Sequence, residues 1–329
     1  MTIYTIPDWS RKVEPNLEGP SQISEWEELF KRFMETEGWS FSSEEAPILE
    51  EYIVKEWKKY VKSKGEDGSE FDALDWESTI HFLVGGGVYN KLKTYCKALL
   101  LMKELKKAYP VYISKKLSSR VVSNLSPTSS DNEDPELKIF TKIKDEFISK
   151  YKVEVSEDVI DVVLLCYKHN DMATAFQNAV KLSNYKPLFN SLLEGNGETL
   201  SDDELIKLGE YLFIRWKCCV GNVWYDKWKN SISMLTRGKG LERLVIHCRA
   251  LEIMEKLNRV EKILNNPANL DHSISSAGES YVFDLNWLNE IREDYFKKYG
   301  EVDYNDVVKL VVDYYKDEEL AQIFKNLFF

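Results

Sequence analysis

The chain has 329 residues, with 44 Lys and Arg against 55 Asp and Glu and a formal net charge of -11. That length suits two domains of roughly 100 to 200 residues better than one core, and 43 % hydrophobic with 30 % charged residues excludes a disordered chain. The acidic balance counts against a generic nucleic-acid binder, and no run reaches the roughly 18 apolar residues that a membrane helix needs.

Residues 1–21 read as an extended arm. Pro7, Pro15 and Pro20 interrupt any helical pattern, and Tyr4 and Trp9 are candidate anchors, docking on this chain or on a neighbour. The arm holds no apolar stretch of signal-peptide length, so a soluble intracellular protein is expected, in cytoplasm or nucleus. Helices are predicted near 25–37, 43–63, 73–84, 88–109, 136–151, 156–168 and 170–182, where apolar residues recur at spacings of three and four. S-x-x-E boxes at Ser24 with Glu27 and Ser42 with Glu45 mark the first two starts, since hydroxyl and carboxylate satisfy each other's orphan amides. Segment 117–137, rich in Ser, Asn, Asp and Pro, reads as a mobile surface loop.

From residue 184 the pattern begins again. The helix "LKTYCKALLLMKEL" (Leu92 to Leu105) returns as "LVIHCRALEIMEKL" (Leu244 to Leu257), and upstream Trp76, Ile80, Leu83 and Gly86 face Trp228, Ile232, Leu235 and Gly238. "EYIVKEWKKYV" from Glu51 matches "EYLFIRWKCCV" from Glu210, and "KYKVEVSEDVIDVVLLCYKHN" from Lys150 matches "KYGEVDYNDVVKLVVDYYKDE" from Lys298. The offset changes only between helical blocks, where loops absorb insertions. The expectation is an all-α protein made by tandem duplication of a multi-helical domain of about 150 residues. It would comprise the arm 1–21, a first lobe 22–183 with its loop at 117–137, and a second lobe 184–329 with its loop at 265–281. Ser201 with Glu204 repeats the capping box of Ser42 with Glu45. The matched aromatics, Trp57 with Trp216, Trp76 with Trp228, Tyr167 with Tyr315 and Phe176 with Phe324, are expected in the cores.

Catalytic chemistry finds little to work with. The histidines are His81, His169, His247 and His272, and only Cys166 near His169 and the His247, Cys248 pair put a nucleophile beside a base. Cys248 and Cys96 fall on the buried stripe of matching helices, so a structural role is expected for them. The pairs Cys218, Cys219 and His247, Cys248 lack the spacings that converge on a tetrahedral ion, so no metal and no cofactor is expected. Five cysteines without a framework spacing suit reduced thiols. Gly85, Gly86 and Gly87 lack the Lys-Ser/Thr that completes a phosphate loop and read as a tight turn between helices.

Charge is the most informative feature. Between 89 and 120, nine Lys and Arg face Glu104 alone; between 215 and 249, eight face Asp226 and Glu242. Lys91 with Arg243, Lys97 with Arg249 and Lys107 with Arg259 keep basic character in register, and these six are the candidate partner- or anion-binding residues. The leading expectation is a non-enzymatic interaction or scaffold protein that binds a protein partner or itself through segregated basic and acidic faces. The alternative is a nucleoprotein-like nucleic-acid binder using both basic faces, with Tyr89, Tyr95, Tyr109, Tyr112 and Trp224 stacking on bases. An enzyme with an unrecognised site is the third. For nucleic-acid binding, reversing Lys97 and Arg249 to glutamate is expected to abolish the interaction without lowering the melting temperature.

Overall fold

The computed structural model describes residues 20–36, 42, 44–61, 76–118, 135–196, 200–217, 219–221, 224–238, 240–264 and 285–327. Among them the chain is all-α, with thirteen α-helices, two isolated antiparallel bridges and no strand. The helices are α1 (Pro20–Glu35), α2 (Glu45–Trp57), α3 (Trp76–Gly85), α4 (Tyr89–Ser118), α5 (Pro135–Tyr151), α6 (Glu157–Cys166) and α7 (Asn170–Ser191). After a π turn at Leu192–Asn196 come α8 (Asp202–Trp216), α9 (Tyr225–Arg237), α10 (Leu241–Leu264), α11 (Leu285–Tyr299), α12 (Tyr304–Tyr314) and α13 (Glu318–Asn326).

The helix ends show which local signals prevailed. Ser42 and Ser201 close the expected capping boxes, with Glu45 and Glu204 amides donating to the serine hydroxyls at 3.1 and 3.3 Å. Ser24, expected at a helix start, lies inside α1, which begins at Pro20, a residue whose fixed φ and missing N–H suit a first helical position. The helices predicted to stop at 109 and 182 instead run through Pro110 and Pro187 to Ser118 and Ser191. Residue 183, the expected joint between lobes, therefore lies inside α7. The arm with Tyr4 and Trp9 lies outside the described residues, as do nearly all of the loops expected at 117–137 and 265–281.

The chain divides into two compact units, residues 1–106 with 153–170 and residues 107–152 with 171–329. In the first, α2 packs on α1 and α3, burying Phe33, Leu49, Ile53, Trp57, Ile80 and Met102. α6 closes this core: Val61 bridges Tyr167, and the Lys168 amide donates to the Tyr60 carbonyl at 3.1 Å. In the second, Tyr112, Phe140 and Phe176 pack ring on ring, joining the end of α4 to α5 and α7. A larger buried cluster runs from Tyr185 and Phe189 through α8 to α13. Here Val220 bridges Tyr315, and the Lys316 amide donates to the Cys219 carbonyl at 2.9 Å. Trp57, Trp216 and Trp228 are fully buried; Trp76, expected in the core, is half-buried, stacked on Trp57 as Trp228 is on Trp216.

Two helices end with a left-handed residue. Lys152 after α5 has φ 55° and Gly300 after α11 has φ 71°, and their amides donate to the carbonyls of Ile148 and Phe296, each at 2.9 Å. Only glycine accepts this conformation without a Cβ clash. Lys152→Gly is expected to raise stability by about 0.5–1 kcal/mol, read as a higher urea midpoint. An unchanged or lower midpoint would show that the lysine side chain offsets the backbone strain.

Candidate functional site

The basic residues singled out above start from two glycine turns. Gly86 and Gly87 precede α4, and Gly238 and Gly240 precede α10; Lys91 and Arg243 stand exposed in the first turns that follow. A cation at this end of a helix opposes the macrodipole, so both raise the local positive potential. Lys91, Lys97 and Arg243 make no hydrogen bond or ion pair with the described residues through their side chains.

The other candidates are held within the fold. Arg249 is only 15 % exposed; its Nη1 donates to Asp303 Oδ2 at 3.4 Å, and its guanidinium lies 4.7 Å over the Tyr299 ring. Lys107 and Arg259 also have partners within the protein. At about 100° per residue, Arg249 and Arg259 stand roughly 240° and 160° around α10 from Arg243, and Lys91, Lys97 and Lys107 repeat that spacing on α4. The six cations do not share one face of either helix. Reversing Arg249 would break a structural pair, so the expectation that its reversal spares the melting temperature does not hold for this arginine.

The rings considered for base stacking are engaged elsewhere. Tyr95 is buried 5.7 Å from Trp57 and Tyr112 is buried 5.5 Å from Phe140. Tyr89 meets Phe33 edge-on at 6.5 Å and Trp224 meets Tyr314 at 6.4 Å. Tyr109 is half-buried, with a partner of its own. Periodicity alone does not distinguish an aromatic on a helix exterior from one facing a neighbouring helix.

Cys96, Cys166, Cys219 and Cys248 are thiols outside any disulfide, all buried. Burial pushes the Cys96 and Cys248 thiols well up, keeping them protonated at neutral pH. His247 is buried against Trp228 with ring centroids 4.6 Å apart, and its Nδ1 lies 2.6 Å from the Arg243 carbonyl. Desolvation holds its imidazolium form down, so its pKa is lowered in the folded protein. The unfolded chain therefore takes up this proton first. Stability is expected to fall as pH drops below about 6.5, and His247→Gln should flatten that slope in urea titrations at successive pH values.

Among the described residues no group of three or more His, Cys, Asp or Glu side chains is placed to hold a metal ion, and no helix is long and apolar enough to cross a membrane. A recess of about 20 Å³ between α10 and α11 has room for about one water. Its polar walls are already paired, Lys298 with Glu252 at 2.8 Å and Lys256 with Asp294 at 2.9 Å.

Two apolar residues escaped the sequence reading. Phe82 on α3 is 68 % exposed and Met234 on α9 is 74 % exposed. Each stands two residues after a buried isoleucine, Ile80 or Ile232, and four before a glycine, Gly86 or Gly238. Falling off the buried stripe in both of the matching sequence stretches was the available signal. No protein-family model matches the chain, and no curated protein or solved structure matches it.

Proposed function

We propose that the chain is a soluble, intracellular, non-enzymatic interaction or scaffold protein, built by duplication of one helical domain, that recognises an acidic protein surface or a second copy of itself. The observation that carries this reading is cationic charge at Lys91, Lys97 and Arg243 that has no counterion among the described residues, in a chain whose net charge is -11. Charge segregated in this way steers association and favours an anionic partner. The burial of Tyr95 and Tyr112 favours a protein surface over single-stranded nucleic acid, which needs open rings to stack upon.

Support for duplication comes from contacts that the sequence register does not itself require. The bridge of Val61 with Tyr167 and that of Val220 with Tyr315 fall in the same register, as do the Lys168 and Lys316 amide bonds behind them. The left-handed Lys152 and Gly300 also coincide. Each bridge marks a crossing of segments remote in sequence, where independent helical domains have no reason to agree.

The test is light-scattering mass with the 260/280 absorbance ratio of the purified protein at low and high salt. A clean protein spectrum, with a salt-sensitive complex or assembly lost in Lys91→Glu/Lys97→Glu/Arg243→Glu, supports the reading. A raised ratio that collapses at high salt would replace it with nucleic-acid binding. Complexes untouched by the triple reversal would remove the basic residues from the account.

A further inference from the structure

We propose that the acidic face of α1 and α2 in one copy of the chain docks on the basic face of α9 in the next, joining copies head to tail. This rests on the self-association branch of the function proposed above.

Two packed helices build the acidic face. α1 and α2 carry eight glutamates against Lys31, Arg32 and Lys55, and Glu44 stands just ahead of α2. All three cations are committed within the pair. Lys31 lies 4.0 Å from Glu35, Arg32 bonds Glu45 at 2.7 Å, and Lys55 sits over the Trp26 ring. Glu44 and Glu51 make no hydrogen bond or ion pair with the described residues through their side chains. They stand four residues before and three after Ile48, on its side of the helix, and all three are exposed.

The basic face has the same plan with the sign reversed. α9 carries Lys227, Lys229 and Arg237 against Asp226 alone, and Glu242 with Arg243 beyond the turn leaves that balance unchanged. Lys229 and Arg237 make no hydrogen bond or ion pair with the described residues. Lys227 lies 5.0 Å over the Trp224 ring, a contact that keeps its charge. Met234, 74 % exposed, has Arg237 three residues after it and Lys227 seven before, on one side of the helix. Each face therefore sets an apolar side chain between like charges. Seating Ile48 on Met234 removes apolar surface from water while glutamates meet cations, whereas two faces of one sign would repel.

The matching stretches of sequence show that each face occurs once per chain. Where α2 has Ile48 and Glu51, α8 has Lys207 and Glu210, and Glu210 is bound to Lys181 at 2.8 Å. Where α9 has Lys229 and Arg237, α3 has Glu77, bound to Lys58 at 3.4 Å, and Gly85. One acidic and one basic docking face per chain make the contact heterologous, using different patches on the two copies.

The decisive experiment uses the full chain with Glu44→Lys/Glu51→Lys or Lys229→Glu/Arg237→Glu, and measures mass by sedimentation velocity across a concentration series. Wild type is expected to grow above its 38.4 kDa chain mass as concentration rises, and to return to it at high salt. Each variant alone should stay at one chain with wild-type far-UV dichroism, since its altered residues are exposed. An equimolar mixture should assemble again, because each variant keeps the face that the other has lost.

If wild type assembles and both variants keep its mass, this contact is wrong while self-association stands. If the variants dissociate but their mixture stays at one chain, the pairing of α2 with α9 is overturned. A wild type that remains at 38.4 kDa throughout removes both the contact and the self-association branch.

Discussion

Trp228→Ala is expected to cost about 3–5 kcal/mol, the largest effect of a single truncation in the second unit. Trp228 is fully buried, stacked on Trp216 at an interplanar angle of 7°, and meets the ring of Tyr314 at 5.2 Å and that of His247 at 4.6 Å. Removing it leaves a cavity bounded by α8, α10 and α12, whose backbones are fixed by their own ladders and cannot all collapse inward. Trp76 occupies the same register in the first unit but is only half-buried, stacked 6.0 Å from Trp57. Trp76→Ala should cost less, about 1–3 kcal/mol, because it forfeits less transfer energy and opens to solvent. Urea denaturation followed by far-UV dichroism checks both; equal losses would mean that burial at these positions does not set their weight.

Glu255→Ala comes next, at about 2–4 kcal/mol. Arg215 donates through Nε and Nη2 to the two oxygens of Glu255, and through Nη1 to the Tyr211 hydroxyl at 2.7 Å. Tyr211 is itself buried, its pKa pushed up to about 12 chiefly by desolvation. Removing the carboxylate takes away the bidentate anion that offsets the hydration lost by a guanidinium only 30 % exposed beside that ring. The double variant Arg215→Met/Glu255→Leu should recover most of the loss, because it removes the desolvation cost along with the attraction. A coupling energy near zero in the resulting double-mutant cycle would show that solvent screens the pair.

Those residues also show how much was legible beforehand. Cores follow from spacing, so the stripe of Leu244, Cys248, Leu251 and Met254 and three of the four matched tryptophans, Trp57, Trp216 and Trp228, could be placed without coordinates. Partners across helices could not: nothing in a spacing of six and ten residues reveals that Arg249 reaches Asp303 while the Arg243 side chain reaches no partner among the described residues. Helix ends were misjudged where local propensity met tertiary packing. Pro110 is a poor helix residue, yet the turn it interrupts is followed by Tyr112, whose burial against Phe140 helps to hold the helix on course. The exposed pair Phe82 and Met234 was missed for the opposite reason. An apolar residue off the stripe is unremarkable alone, and gains meaning only when the matching stretch of sequence repeats it.

The division of the chain between its units bears on synthesis. α4 begins in the first unit and ends in the second, α5 belongs to the second, and α6 returns to the first. A nascent chain that has emerged through α5 therefore lacks the segment that pairs Tyr167 with Val61, and exposes faces destined for α6 and α7. The first unit cannot close until residues 153–170 have left the ribosome, by which time part of the second is already outside it. Folding of the two units is interleaved in time, so a slow stretch of translation between α5 and α6 would prolong exposure of both cores, a period in which chaperones would be recruited.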